Sequence, residues 1–162
     1  MGKVLITVNL SFEYSLRRDI KDYLFFHDRN VEIKGTEYRG VFIIESSKDP
    51  VFIATILINS PIPENALTTI VPITMEGLYS NLDDLIDKVR KNISGNCGSF
   101  IVRCRLRGSH ISNEMCEEAI INLLRSQGFH AMFRGDADCA IIIEGLSNWF
   151  GAYIGPRASV RV

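Results

Sequence analysis

Arginines stand at positions 103, 105 and 107, each separated by one apolar or small residue: Arg103-Cys104-Arg105-Leu106-Arg107. On a β-strand, side chains at i, i+2 and i+4 leave the same face. Successive members of such a row lie about 7 Å apart, a repeat able to meet phosphates along a nucleic-acid strand. Each guanidinium offers a planar donor fork that grips phosphate oxygens two at a time. Gly108-Ser109-His110 follows directly, adding a flexible backbone position and a titratable ring. Residues 88–110 carry six Lys/Arg and no acid, and residues 145–162 carry Arg157 and Arg161 and again no acid. The competing reading is a solvated strand face whose arginines pair with Glu114, Glu117 and Glu118 of the next helix. The acid-free flanks favour an anionic ligand.

Constellations for catalysis are sparse. The chain holds no Gly-x-Gly-x-x-Gly, Walker loop, His-Glu-x-x-His or Gly-x-Ser-x-Gly. Asp136 and Asp138 could pair as acid and base, but carboxylates are common in polar turns. Cys139 with His110 or His130 would need a nucleophile–base contact, and Cys139 opens an apolar strand. Gly95-Asn96-Cys97-Gly98 resembles a phosphate cradle only in its glycines. The expectation is therefore a protein that is not itself an enzyme and uses no cofactor. Cysteines 97, 104, 116 and 139 form no Cys-x-x-Cys pair, and histidines 27, 110 and 130 make no zinc spacing with them. Four reduced thiols and no metal site are expected.

Two successive arrangements of elements position these residues. Over residues 1–76 the periodicities read strand, helix, strand, strand, helix, strand. Val4 to Val8 is β-rich. Ser11 is a candidate helix cap, followed by Phe12, Leu16, Ile20, Tyr23 and Leu24 at helical spacing. Val31 to Ile33 and Val41 to Glu45 flank a turn. Asp49-Pro50 starts a second helix that stops near Asn59-Ser60-Pro61. Thr68 to Thr74 closes the set, with Pro72 marking an edge. This βαββαβ order is the ferredoxin-like split βαβ arrangement.

Residues 77–162 read as a second domain, also α/β. Leu82, Leu85, Ile86, Val89 and Ile93 form a helical stripe, with acids early and bases late to match the helix dipole. The arginine strand comes next, with Phe100, Val102, Cys104 and Leu106 on its other face. A helix capped by Ser112 ends at Gly128. Phe129–Phe133, Ala140–Ile143 and Trp149–Ile154 are further strands. Expected fold class is α/β (α+β), in two domains.

Composition bounds the partners. The 162 residues include 18 Lys+Arg and 19 Asp+Glu, net −1, with 46% hydrophobic residues. Disorder is excluded, and indiscriminate polyanion binding is disfavoured. No apolar run approaches the roughly 20 residues of a membrane-spanning helix. Met1 to Asn9 lacks a signal-peptide pattern, so a cytoplasmic protein is expected.

Leu5 to Leu10 and Arg39-Gly40-Val41-Phe42 loosely match the strand signatures of an RNA-recognition motif. Ile6 and Val41 stand where that motif carries stacking rings, so the reading fails.

Ser99-Phe100-Ile101-Val102-Arg103-Cys104-Arg105-Leu106-Arg107-Gly108-Ser109-His110 resembles the central strand of THUMP domains, RNA-binding modules of tRNA-modifying systems. The resemblance continues through the Ser112 helix and into Asp136-Ala137-Asp138-Cys139-Ala140-Ile141-Ile142-Ile143-Glu144, covering residues 78–156. The whole chain is similar to stand-alone THUMP proteins that assist tRNA cytidine acetylation. There Gly40-Val41-Phe42-Ile43-Ile44-Glu45-Ser46 and the Asp49-Pro50 helix carry the N-terminal part. The resemblance implies tRNA, held near its acceptor end, as ligand and an RNA cytidine acetyltransferase as partner. Arg103, Arg105, Arg107 and Gly108 match its motif. Lys91, His110, Arg134 and Arg157 join the candidate RNA-binding set by location. The rival reading is a ferredoxin-like ligand-sensing or assembly protein, and a third is the RNA-binding subunit of a split modifying enzyme.

Overall fold

The computed structural model describes residues 2–162. It resolves into two compact units, the first running to Ile73 and taking back Ser159–Val162, the second spanning Thr74–Ala158.

The first unit is built from β1 (Gly2–Val8), α1 (Glu13–Phe25), β2 (Glu32–Gly35), β3 (Val41–Ser46), α2 (Pro50–Ile58) and β4 (Leu67–Ile73). The strands lie in the order β2-β3-β1-β4, every neighbouring pair antiparallel. This is the ferredoxin-like order. Val4, Ile6 and Val8 alternate inward and pack with Leu16, Ile20 and Leu24 of α1 and with Ile53 and Leu57 of α2. Asp49 caps α2, its carboxylate accepting from the Val51 and Phe52 N–H groups while Pro50 takes the first helical turn. Pro72 sits on β4, an edge strand, where its missing N–H is tolerated.

Two details differ from expectation here. Ser11 does not cap α1; a short 3₁₀ turn, Leu10–Phe12, intervenes, and Asn9 accepts from the Ser11 N–H to start it. Arg161, grouped above with the basic tail, is committed within this unit. Its backbone pairs with Ile70 in both directions, and its guanidinium donates to the Leu67 and Ile58 carbonyls at 3.0 and 3.2 Å.

The second unit consists of β5 (Met75–Leu78), α3 (Leu82–Arg90), β6 (Ser99–Arg107), α4 (Asn113–Ser126), β7 (His130–Met132), β8 (Cys139–Leu146) and β9 (Trp149–Pro156). Its sheet runs β5-β9-β8-β6-β7, with β6 parallel to both β7 and β8 and the other pairs antiparallel. Phe100, Val102, Cys104 and Leu106 of β6 and Ile141 and Ile143 of β8 pack against Leu85 and Val89 of α3 and Cys116, Ile120 and Leu124 of α4. β5 escaped the sequence reading because four residues with one glycine carry little periodicity.

The expectation of four free thiols is corrected: Cys97 and Cys139 form a disulfide that ties the loop before β6 to the first residue of β8. Only Cys104 and Cys116 remain as thiols, both buried. Among the described residues no helix is long and apolar enough to cross a membrane. Nor does any group of three or more His, Cys, Asp or Glu side chains suit a metal ion.

Candidate nucleic-acid interface

β6 lies between β7 and β8, and its two faces differ as the alternation requires. The apolar face takes both helices of the unit, while Arg103, Arg105 and Arg107 stand half-buried on the other. By register Arg103 lies beside Ile142, Arg105 beside Glu144 and Arg107 beside Leu146. Across β8, Ile142 faces Tyr153 and Glu144 faces Gly151 of β9.

Glu144 is the unexpected member of this row. It is 0% exposed, and its Oε2 accepts from Arg107 Nη1 at 2.7 Å. Burial pushes its carboxyl up from the ordinary value, while Arg107 and then Arg105 pull it back. Its Oε1 and the Nε of Arg103 are buried without a hydrogen-bond partner. By register Glu76 of β5 shares this face, beside Gly151, so the three guanidiniums stand there with two carboxylates. Arg103 and Arg105 have no carboxylate within 4 Å among the described residues.

The alternative pairing with α4 acids is therefore corrected, because α4 packs on the opposite face. Its polar side chains instead serve the edge of β6. β7 pairs only with Ser99–Ile101, so N–H groups further along β6 lack a strand partner. Glu117 accepts from the Cys104 N–H at 3.0 Å and Asn113 from the Leu106 N–H at 2.8 Å, satisfying donors that would otherwise be costly to bury.

At the C-terminal end of β6 the chain turns at Gly108, whose φ of +69° is one that side-chain-bearing residues rarely adopt. His110 is exposed beside it. Ser147, in the turn from β8 to β9, also has a positive φ, 55°, and its N–H donates to the Arg107 carbonyl. The Tyr79 hydroxyl donates to the Ser147 carbonyl at 3.0 Å. Gly108, His110, Tyr79, Ser80, Ser147 and Asn148 line a cavity of about 280 Å³. It opens where the parallel strands β6 and β8 end, the customary ligand position in open α/β sheets. Tyr79, Ser80, Ser147 and Asn148 were not in the sequence-derived set, because they come from segments nearly 70 residues apart. The Ser147-Asn148 turn between two apolar strands was the available signal.

The structure thus places Arg103, Arg105 and Arg107 on β6 and Gly108 and His110 in the turn that follows it. Lys91, Arg134 and Arg157 lie toward the start of that strand. Lys91 follows α3 and is exposed; the loop after it is tied through Cys97 to the first residue of β8. Arg157 donates its N–H to the Asp138 carbonyl just before β8. Arg134 is exposed in the loop between β7 and β8. The length of β6 separates Arg157 from Gly108 by about 25 Å. Two further cations of the acid-free window are paired on α3, Lys88 with Asp84 and Arg90 with Asp87.

The sequence matches no family model and no curated protein. Solved structures do match. PH1313 from Pyrococcus horikoshii superposes with a TM-score of 0.64 at 14% identity, covering 95% of this chain and 54% of that one. TrmN from Thermus thermophilus gives 0.64 at 13% identity, covering 95% and 45%. A 4-thiouridine synthetase, solved with RNA and ATP, gives 0.50 at 13% identity, covering 95% and 41%. The likeness at these identities shows the fold, and the chain spans about half the length of the structures it matches.

These matches overturn the expectation of a non-enzyme. Several further chains covered to the same extent are described as methylases or methyltransferases, SMU.472 with SAH bound among them. The fold of this chain is one that catalytic polypeptides carry.

Proposed function

We propose that this chain is the RNA-binding part of a tRNA-modifying enzyme system. It holds tRNA by its phosphates, near the acceptor end, while a base is modified. The observation that carries this reading is the row of three half-buried guanidiniums on the sheet face opposite both helices of the unit, tied at one end to the buried Glu144 carboxylate. Arg103 and Arg105 supply phosphate contacts. Arg107, anchored on Glu144, sets the row, and Gly108 and His110 extend it past the strand end. Lys91, Arg134 and Arg157 reach a second stretch of backbone. Contacts of this kind read RNA shape and position rather than base identity.

The likeness to a synthetase solved with RNA supports the ligand class. The THUMP-like strand supports an RNA cytidine acetyltransferase as the enzyme acting on the held tRNA. The methyltransferase matches make methyl transfer the alternative outcome of the same test.

Mobility shifts with unmodified tRNA at about 50 and 200 mM salt test binding, since phosphate contacts weaken steeply over that range. Pull-down of the chain, followed by assay of the recovered material for acetyl or methyl transfer to tRNA, tests the reaction. A salt-sensitive shift and acetyl transfer are expected. No shift at the lower salt, with a stable oligomer in sedimentation, would favour a ligand-sensing or assembly protein instead.

A further inference from the structure

A cavity lies in the first unit, in a part of the sequence well before the arginine strand. About 640 Å³ opens beneath the start of α1, within the range of sites for molecules the size of a nucleotide. Arg17, Arg18 and Lys21, spaced i, i+1 and i+4 on the helix, contribute to its wall, with Leu10, Tyr14 and Phe42.

The wall is built rather than merely charged. Arg17 Nη2 donates to the Ile33 carbonyl at 2.7 Å, and the guanidinium lies 5.4 Å from the centroid of the Phe42 ring. Both contacts hold the head group in place while leaving further N–H donors uncommitted. Arg18 and Lys21 have no carboxylate within 4 Å among the described residues, and the Glu13 carboxylate at the same wall faces Arg39 at 3.8 Å. Tyr14 is 94% exposed, a ring with nothing stacked on it. Clustered cations beside an exposed ring are the elements by which single-stranded nucleic acid is held, phosphate on the cations and base on the aromatic face.

We propose that this cavity takes one unpaired nucleotide of an RNA strand, its base stacked on Tyr14 and its flanking phosphates held by Arg17, Arg18 and Lys21. This rests on the RNA-binding reading above and adds a second contact, on the first unit. The ligand chemistry, a base with an attached phosphate, is shared by a free nucleotide, so the probes must separate the two.

The full chain is titrated with a single-stranded RNA tetranucleotide carrying 2-aminopurine, and in parallel with AMP as competitor. Stacking should quench the 2-aminopurine. Tyr14→Ala should abolish the quench and weaken binding about tenfold, with Tyr14→Phe restoring both. The Arg18→Ala/Lys21→Ala double variant should weaken binding and flatten its salt dependence. Arg105→Ala should weaken tRNA binding, and adding Tyr14→Ala to it should still abolish the tetranucleotide quench. All substituted α1 side chains are exposed, so the fold is not at risk. An unchanged quench in Tyr14→Ala, or unchanged affinity in the double variant, would overturn the proposal even if tRNA binding through Arg105 held. AMP binding as tightly as the tetranucleotide would also overturn it, assigning the cavity to a free nucleotide.

Discussion

The Arg107 guanidinium donates to the Glu144 carboxylate at 2.7 Å, and Glu144 is wholly inaccessible to solvent. Arg107 is itself only 18% exposed at its side chain. One arginine of the row is thus tied to the neighbouring strand, while Arg105 and Arg103 carry no such pair. The same sequence pattern holds two kinds of residue: an anchor, and two half-buried arginines with no carboxylate within 4 Å among the described residues.

Removing the anchor should therefore damage stability, whereas removing its neighbour should not. Arg107→Ala leaves an uncompensated buried carboxylate, which costs about 3–5 kcal/mol. Arg105→Ala should stay within about 1 kcal/mol, because it breaks no ion pair. Urea denaturation of the two variants measures the difference. Equal losses would mean that the Arg107–Glu144 pair does not hold the row.

Asp28 provides a pH signature in the first unit. Its Oδ2 accepts from the Ser46 hydroxyl at 2.8 Å and from the Ser47 N–H at 2.9 Å, and its Oδ1 from the Asn30 N–H. These bonds, the Ser46 hydroxyl foremost, bring its carboxyl down from 3.8 to about 2. A lowered folded-state value means that the unfolded chain binds the proton more readily. The stabilisation is complete above 3.8 and is lost as pH falls through about 2. Thermal melts across that window should show a shallower pH dependence in Asp28→Asn than in the parent. Identical slopes would remove Asp28 as a source of acid sensitivity.

The Cys97–Cys139 bond closes a loop with a sequence separation of 42. Cross-links of that span restrict the unfolded chain and stabilise by about 2–4 kcal/mol. Replacing both with serine should lower the melting temperature of the oxidised protein, and added reductant should shift the parent but not the variant. A parent insensitive to reductant would show that the bond contributes nothing to stability.

What could be read in advance followed local rules. The Asp49-Pro50 start of α2, the edge position of Pro72 and the two-faced alternation of β6 each depend on a few adjacent residues. The misses depended on partners distant in sequence. No spacing marks Cys97 and Cys139 as neighbours, and only the parallel docking of β8 on β6 brings Glu144 to Arg107. Glu144 did carry one signal, a lone carboxylate following the apolar run from Ala140 to Ile143. Such a charge must find a buried counter-charge, and the arginine row was the obvious reservoir. The α4 acids were set against that row because helix and strand are consecutive, but they lie across the sheet from it. The return of Arg161 to β4 had no local signature at all.

The proposed RNA binding turns on a contact between Arg105 and an RNA phosphate. The most direct test is the affinity of the parent chain and of Arg105→Ala for unmodified tRNA, measured over a series of salt concentrations with both proteins shown to be folded. Each phosphate neutralised adds about 0.7–0.9 to the slope of log K against log salt. The variant should bind more weakly at low salt and show a slope reduced by nearly that amount. A parallel line with an unchanged slope would contradict the account and take Arg105 out of the interface.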